Sequence, residues 1–314
     1  MNREYRPGVA PPISIETFYY VFTALSLVII WTYWSTLAKA ADRWGSDVQY
    51  SHGWLIPAFT LYLLYYRRHM LVGQKLVPSW WGLLFLMMAL ALRWTEVNYY
   101  LNGFDPLSLI PILLGLALAV GGWPAFAWSW PAIVFLIFMV PLPYILHTGM
   151  STQLQMAATQ MSTFVLQTFG LPAVAEGTQL KIDDATVSVA EACSGLGMIV
   201  TFVAISVAVI LMIRSPWWVK AGLLLGSIPV ALICNVVRIT SVAAFKSAGY
   251  KYETVETIHD IAGWLMIVLG CGLIFVELYI LDRIVVVQDT SRKGDIPLPL
   301  PYAPSGRPTA RPAT

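Results

Sequence analysis

Long apolar segments separated by short polar stretches dominate the chain. Each approaches the roughly 20 residues that cross a bilayer as a helix, and backbone in lipid must satisfy its hydrogen bonds internally. The pattern therefore predicts an all-α polytopic membrane protein with about eight transmembrane helices. The predicted segments are 18–38, 54–66, 80–97, 107–121, 131–146, 196–213, 217–243 and 260–281.

Two stretches between the fifth and sixth segments follow other patterns. Residues 147–169 interleave glutamine, serine and threonine with leucine, methionine and phenylalanine, which favours a re-entrant or interfacial helix. Apolar and polar residues then alternate with period two over 178–182 and 185–189, on either side of Asp183-Asp184. This alternation predicts a short outer β-hairpin that leads into the sixth segment.

The positions of the basic residues predict the orientation. Three basic clusters follow the second, sixth and eighth segments and so share one side of the membrane, whereas the loop 122–130 carries no charge. They are Arg67, Arg68 and Lys75; Arg214 and Lys220; and Arg283, Arg292 and Lys293. Taking their side as cytoplasmic predicts a multi-pass protein of the cell membrane (inner or plasma membrane), with both termini inside and the starts of the sixth and eighth segments facing outward.

Composition adds the domain organisation and excludes one class of partner. A chain that is 58% hydrophobic and 11% charged fits one transmembrane domain over 18–284, after a cytoplasmic segment 1–17. Residues 285–314 form a Pro-rich tail with too little apolar content to fold, which predicts disorder in the cytoplasm. Ala38-Lys39-Ala40 resembles a signal-peptide cleavage site, but the long apolar core before it favours a retained anchor. A dispersed net charge of +2 excludes nucleic acid as a partner.

Cys193 is the cysteine whose neighbours indicate chemistry. It lies between Glu191 and Ser194 at the start of the sixth segment, and a helix N-terminus favours the thiolate, which is the nucleophilic form. Cys234 and Cys271 fall inside apolar segments, where a small buried side chain is the ordinary interpretation. Three scattered cysteines predict neither a disulfide framework nor a metal site, and no cofactor is expected.

Arg238 and His259 are the other candidates, because ionisable side chains in apolar segments are costly unless they have a function. Both lie toward the predicted outer side, as Cys193 does. The arginine fork suits an oxyanion or thiolate, and the imidazole suits a general acid and base in acyl transfer. Asn235 shares the helix face of Arg238 and would orient the guanidinium or a substrate carbonyl. Together these residues predict a Cys/His/Arg site.

Structural interpretations of the same residues stay open at this point. Arg238 would form an ion pair with Glu191 or Glu96, and Glu191 would either hold Arg238 or repel the thiolate. His259 alone would be an ordinary residue at a helix start. His52, which lies on the same predicted side, would be a capping or interfacial residue.

Five short motifs follow one another along the chain. They are Tyr50-Ser51-His52-Gly53, Pro141-Leu142-Pro143, Glu191-Ala192-Cys193-Ser194-Gly195-Leu196, Asn235-Val236-Val237-Arg238-Ile239 and His259-Asp260-Ile261-Ala262-Gly263-Trp264. In this order they resemble the motifs of the exosortase/archaeosortase family of membrane transpeptidases, over about residues 18 to 281. The resemblance implies Cys193 as nucleophile, Arg238 as the arginine of the site and His259 as its third member, of the bacterial exosortase type. It also favours His52 as a supporting residue.

The resemblance implies a function as well. Such a cysteine peptidase or transpeptidase cleaves a C-terminal sorting signal on exported, membrane-anchored proteins and transfers the new C-terminus to an acceptor, here an unknown lipid or glycan. The signal consists of a Pro motif, a transmembrane helix and a basic cluster, as in the PEP-CTERM type. Some exosortases carry a further C-terminal domain linked to exopolysaccharide export. A Pro-rich tail occupies that place here, so no link to exopolysaccharide is implied.

Two other classes of protein also fit the sequence. A polytopic transporter would use Arg238 and His259 along its pathway, and a non-catalytic subunit of a polysaccharide or protein export system would need neither. Loss of activity on alkylation of Cys193 would separate an enzyme from both. The chain has no His-Glu-x-x-His helix, which argues against a metalloprotease.

Overall fold

The computed structural model describes residues 11–46, 48–99, 103–141, 144–182, 185–188 and 195–284. In these ranges the chain forms nine α-helices, three short 3-10 helices and one small β-sheet. The α-helices are α1 Ile15–Thr32, α2 Trp34–Ser46, α3 Leu55–Tyr66, α4 Gly82–Tyr99, α5 Phe104–Phe135, α6 Tyr144–Thr168, α7 Leu196–Met212, α8 Trp217–Ser247 and α9 Tyr252–Ile284. The 3-10 helices are Val48–Trp54, Arg67–Leu71 and Leu136–Met139, and the strands are β1 Ala173–Glu176, β2 Gln179–Ile182 and β3 Ala185–Ser188.

Four helical stretches within the described ranges are long and apolar enough to cross a bilayer. They are Ile15–Thr32, Phe104–Met139, Trp217–Ser247 and Glu253–Arg283. α7 is a shorter apolar helix, α3 has 12 residues, and α4 carries Arg93 and Glu96. The protein is therefore a multi-pass helical membrane protein, but the predicted count of eight crossings is not confirmed.

The first predicted segment, 18–38, ends earlier than the sequence pattern indicated. α1 stops at Thr32, and after Tyr33 the chain continues as the amphipathic helix α2. The break is fixed by the buried Tyr33, whose hydroxyl lies 2.7 Å from the hydroxyl of Ser108 in α5. α2 then packs Ala40 and Trp44 inward.

α5 reverses direction in its middle. Thr36 of α2 bonds to the Asp105 carboxylate at the start of α5, and Trp44 Nε1 of the same helix donates to the Met139 carbonyl, 3.2 Å away, just after α5 ends. These two α2 residues are separated by about 12 Å along their helix, whereas a straight helix would hold Asp105 and Met139 roughly 50 Å apart. Residues 104–121 and 123–135 are therefore two antiparallel limbs that pass through the bundle in opposite directions.

Gly122 makes this reversal without a loop, so the predicted loop 122–130 is wrong. Its backbone has φ 68° and ψ −161°, a left-handed conformation that favours glycine. A Cβ at this position would lie 2.1 Å from the Val77 carbonyl oxygen, so the close approach also requires glycine. Pro124 falls in the first turn of the second limb, where its missing N–H has no helical partner to lose. The Gly121-Gly122-Trp123-Pro124 sequence is thus a helix corner.

The hairpin predicted around Asp183-Asp184 is confirmed by the pairing of β2 with β3, in which Gln179 faces Ser188. β1, which the sequence analysis missed, adds a third antiparallel strand on the other edge of β2. Leu180 and Ile182 of β2 pack with Leu166 of α6 and Ala243 of α8. The sheet therefore lies against the C-terminal ends of α6 and α8.

α6 corresponds to the stretch 147–169, predicted as a re-entrant or interfacial helix, and it packs on α8. Its buried face is made of small and hydroxyl-bearing side chains, which let two helices approach closely. These residues are Ser151, Ala158, Thr159, Ser162 and Thr163. Ala158 contacts Ile239 of α8, so α6 belongs to the helical core around that helix.

α7 joins two hydrophobic clusters. One face, including Ala204 and Leu211, packs with residues of α2, α3 and α5. The other face, including Phe202, packs with α8 and α9. α7 is consequently the helix on which the N-terminal and C-terminal parts of the bundle meet.

Candidate active site

The predicted site residues divide into a described and an undescribed group. Arg238, Asn235, His52 and His259 lie in the described ranges. Cys193, Glu191 and Ser194 lie within residues 189–194, outside the described residues. The described part of the site therefore consists of the elements around the start of α7.

Arg238 and Asn235 form a buried pair on α8. Asn235 is fully buried, Arg238 is 5% exposed, and Arg238 Nη2 donates a 3.1 Å hydrogen bond to Asn235 Oδ1. A guanidinium has only donors, so this bond fixes which end of the Asn235 amide faces Arg238 and turns Nδ2 the other way. Asn235 and Arg238 are thus in direct contact, and the orienting role of Asn235 stays a prediction.

Gly195 brings the start of α7 onto this pair. It precedes the first residue of α7 with φ 84°, and its carbonyl accepts the first helical hydrogen bond, 2.9 Å from Ile199 N. A Cβ on Gly195 would lie 2.8 Å from Asn235 Nδ2. Both the backbone conformation and the close contact therefore require glycine at the end of the Glu-Ala-Cys-Ser-Gly motif.

His52 approaches α7 from the opposite direction. It lies in the 3-10 helix Val48–Trp54, and its Nδ1 is 3.0 Å from the hydroxyl of Thr201, in the second turn of α7. Its Nε2 is 3.2 Å from the Phe138 carbonyl oxygen. His52 therefore connects α7 with the 3-10 helix Leu136–Met139 that follows α5, rather than serving as a simple helix cap.

Gly53, which follows His52, has to be a glycine because of its contact with Trp44. A Cβ at Gly53 would lie 2.4 Å from the indole nitrogen of Trp44, so the indole packs directly on its backbone. Trp44 in turn makes an edge contact with Trp54, with ring centroids 5.3 Å apart. This packing holds the 3-10 helix, and with it His52, against α2.

His259 lies in the second turn of α9 and is partly buried. Close contacts of Gly222 with Leu281 and of Gly226 with Glu277 give the antiparallel register of α8 and α9. Continued along both helices, this register places His259 level with Ala244, about 9 Å beyond Arg238 along α8. His259 is thus on the same end of the bundle as the start of α7, but nearer the β-sheet than Arg238 is.

Cys234 and Cys271 are the two cysteines in the described ranges. Both are free thiols inside α8 and α9, as expected for small apolar residues. No group of three or more His, Cys, Asp or Glu side chains is arranged to hold a metal ion in the part of the chain that the structure describes.

Thr201 is the residue that the sequence analysis missed. Its Oγ1 donates a 2.8 Å hydrogen bond to the Gly197 carbonyl and also meets His52. A threonine in the otherwise apolar start of α7 was a signal, because a hydroxyl there needs a partner. The partner, 149 positions earlier in the chain, is not apparent from the local sequence.

These elements define a polytopic helical protein with a buried arginine on α8, paired with the asparagine that contacts the start of the apolar helix α7. Residues 44–276 match the family model of the transmembrane exosortases. The chain belongs to the transmembrane exosortase family. No curated protein and no solved structure matches it significantly.

Proposed function

We propose that the protein is a membrane-embedded cysteine transpeptidase in which Cys193 is the nucleophile, Arg238 stabilises negative charge and His259 moves protons. One observation carries this proposal: Gly195 contacts Asn235, which is itself hydrogen-bonded to Arg238. Cys193 is two residues before Gly195, and two residues of chain reach at most about 7 Å. In this proposal the thiol reaches the buried guanidinium, and a thiolate or oxyanion beside Arg238 would offset the cost of its burial.

The start of α7 favours the reactive form of the thiol. The first backbone N–H groups of a helix point toward its N-terminus and carry partial positive charge, which stabilises a thiolate there. The side chain of Asn235 adds an N–H donor on the face toward Gly195. These donors are suited to the oxygen of a tetrahedral intermediate, provided that they are fixed before the substrate arrives.

The proposed reaction has two half-reactions. The thiolate attacks the scissile carbonyl, a C–S bond forms, and the oxyanion is held by Arg238. The C–N bond then breaks as the leaving amine takes a proton from His259, which leaves a thioester. In the second half, His259 takes the proton of the acceptor nucleophile, the acceptor attacks the thioester, and the Cys193 thiolate leaves.

The substrate and acceptor in this proposal follow the family. The substrate is an exported protein with a C-terminal sorting signal that combines a Pro motif, a transmembrane helix and a basic cluster, as in the PEP-CTERM type. The acceptor is a lipid or glycan. The basic loops support an active site on the outer side, because Arg67, Arg214 and Arg283 follow or end α3, α7 and α9, which all run away from the site end.

The test is removal of each cysteine in turn. In membranes that contain a substrate with such a tail, Cys193→Ala should abolish processing while the protein stays inserted, because no other group would form the thioester. Cys234→Ala and Cys271→Ala are matched controls that remove a thiol from neighbouring helices, and both should retain activity. The measurement is the fraction of substrate cleaved.

A second readout separates this proposal from a transporter or a non-catalytic subunit. A maleimide should label Cys193 in the Cys234→Ala/Cys271→Ala background and block processing in the same proportion. Full processing by Cys193→Ala, or by the labelled enzyme, would refute covalent catalysis by this thiol.

A further inference from the structure

The helix that follows the nucleophile is held from two sides at its start. On one side Gly195 packs on Asn235 of α8. On the other side Thr201, less than two turns further along α7, bonds to His52 of the 3-10 helix Val48–Trp54. The first contact needs no polar group on α7, whereas the second depends on a single hydroxyl.

Both ring nitrogens of His52 are engaged in this arrangement. The Phe138 carbonyl oxygen can only accept, so Nε2 of His52 carries a hydrogen and donates to it. Two hydrogen-bond arrangements are possible at Nδ1. An imidazolium donates to Thr201 Oγ1 while the hydroxyl stays on the Gly197 carbonyl, and a neutral ring accepts the hydroxyl hydrogen instead. The His52–Thr201 bond persists in both cases.

This geometry differs from that of a proton shuttle. A general acid or base needs a ring nitrogen directed at the reacting group. The ring of His52 instead spans from Phe138, in the 3-10 helix after α5, to Thr201 of α7. Phe138 packs in the cluster that includes Ala204 and Leu211 of α7, so the His52 ring adds a polar link between elements that also share apolar contacts.

We infer that Thr201 and His52 form a positioning pair that fixes the start of α7, and hence the segment bearing Cys193, relative to the Asn235–Arg238 pair. The inference rests on the proposed function for its catalytic consequence. Thr201 is a positioning residue in this assignment, because it acts through the placement of α7 and touches no reacting atom. One hydrogen bond of this kind, worth about 1 kcal/mol, corresponds to a change in rate of roughly 3- to 10-fold.

The first experiment removes only the hydroxyl. Thr201→Val keeps the shape of the side chain and should lower kcat roughly 3- to 10-fold with little change in KM, because the thiol is misplaced while substrate contacts remain. Thr201→Ser restores the hydroxyl and should recover most of kcat. Ser206→Ala is the matched control, since Ser206 is a buried hydroxyl on the same helix with no hydrogen-bond partner among the described residues, and it should behave as wild type.

The second experiment distinguishes positioning from proton transfer at His52. An asparagine amide takes the place of Nδ1 and a glutamine amide that of Nε2. His52→Asn should therefore retain much of the activity through Thr201, whereas His52→Gln should resemble Thr201→Val. His52→Gln combined with Thr201→Val should be no worse than either alone, because both remove the same bond.

Hydrogen exchange in nanodiscs gives a readout that is independent of turnover. Amides at the start of α7 should exchange faster in Thr201→Val and His52→Gln than in the wild type or Ser206→Ala. Equal loss of activity in both His52 variants, or wild-type kcat and exchange in Thr201→Val, would overturn the inference. Activity in Cys193→Ala would instead overturn the proposed function and leave the exchange result standing.

Discussion

Gly195 joins three requirements at one residue. It adopts a left-handed backbone, begins the hydrogen bonding of α7 and touches the amide of Asn235. A side chain at this position would displace the start of α7 from the Asn235–Arg238 pair. The glycine that ends the Glu-Ala-Cys-Ser-Gly motif is thus needed for the packing of α7 on α8.

Gly195→Ala should destabilise the protein by at least about 1–2 kcal/mol from the backbone conformation alone, with the collision against Asn235 in addition. Gly263→Ala is the control, since Gly263 lies in α9 with open space around its Cα, and it should be neutral or stabilising by about 0.5–1 kcal/mol. The measurement is thermal unfolding in detergent for both variants. Equal stability of the two would show that the contact at Gly195 is unimportant.

The geometry of the Arg238 side chain gives a second prediction. Lysine has no planar fork, so Arg238→Lys should lose the bond to Asn235 and fail in processing nearly as badly as Arg238→Ala. Arg93→Lys is a matched control, because Arg93 pairs with Asp105 at 2.8 Å in a different part of the bundle, and it should remain active. The measurement is processing in membranes at equal protein levels. Wild-type processing by Arg238→Lys would mean that a positive charge alone suffices.

Among the helices and strands, those that depend on a local sequence pattern were predicted from the sequence. The β2–β3 hairpin follows from strict alternation, and α7, α8 and α9 follow from apolar runs. β1 was missed because the four residues Ala-Val-Ala-Glu show too short an alternation to be distinguished from a loop. The pair Arg238–Asn235 was predictable because both residues lie on one helix face, whereas His52–Thr201 depends on tertiary packing between distant segments.

The corner in α5 is the clearest case of tertiary packing overriding local pattern. Two glycines and a proline usually indicate a loop, but here Gly122 in a left-handed conformation and Pro124 in the first turn of the second limb allow a direct helix reversal, with the Val77 carbonyl packed against Gly122. Gly122→Ala should therefore lower the free energy of unfolding by more than the about 1–2 kcal/mol that a left-handed backbone conformation alone costs a residue with a Cβ. Gly149→Ala, in open space on α6, is the control and should be tolerated. Thermal unfolding of both variants checks this, and a stable Gly122→Ala protein would contradict the account of the corner.

For the whole molecule, the proposed orientation can be tested with reporter fusions. Fusions after Leu71 and Pro216 should report the cytoplasm, because basic residues flank both positions, and a fusion near Asp183 should report the outside. The readout is a pair of reporters that are active on opposite sides of the membrane. A cytoplasmic signal at Asp183 would place the start of α7 inside and end the proposal of outward-facing catalysis.

The corner at Gly122 also bears on how the chain enters the membrane. Residues 104–139 contain one charged side chain, Asp105, and the corner offers no hydrophilic loop that could signal a side to the insertion machinery. Arg67 supplies a positive charge close to the corner, since its guanidinium donates to the carbonyls of Ala127 and Trp128 at 3.0 Å each. During biogenesis the two limbs would therefore enter the bilayer together as a helical hairpin, held in place by a cation from the 3-10 helix Arg67–Leu71, which is synthesised before α4.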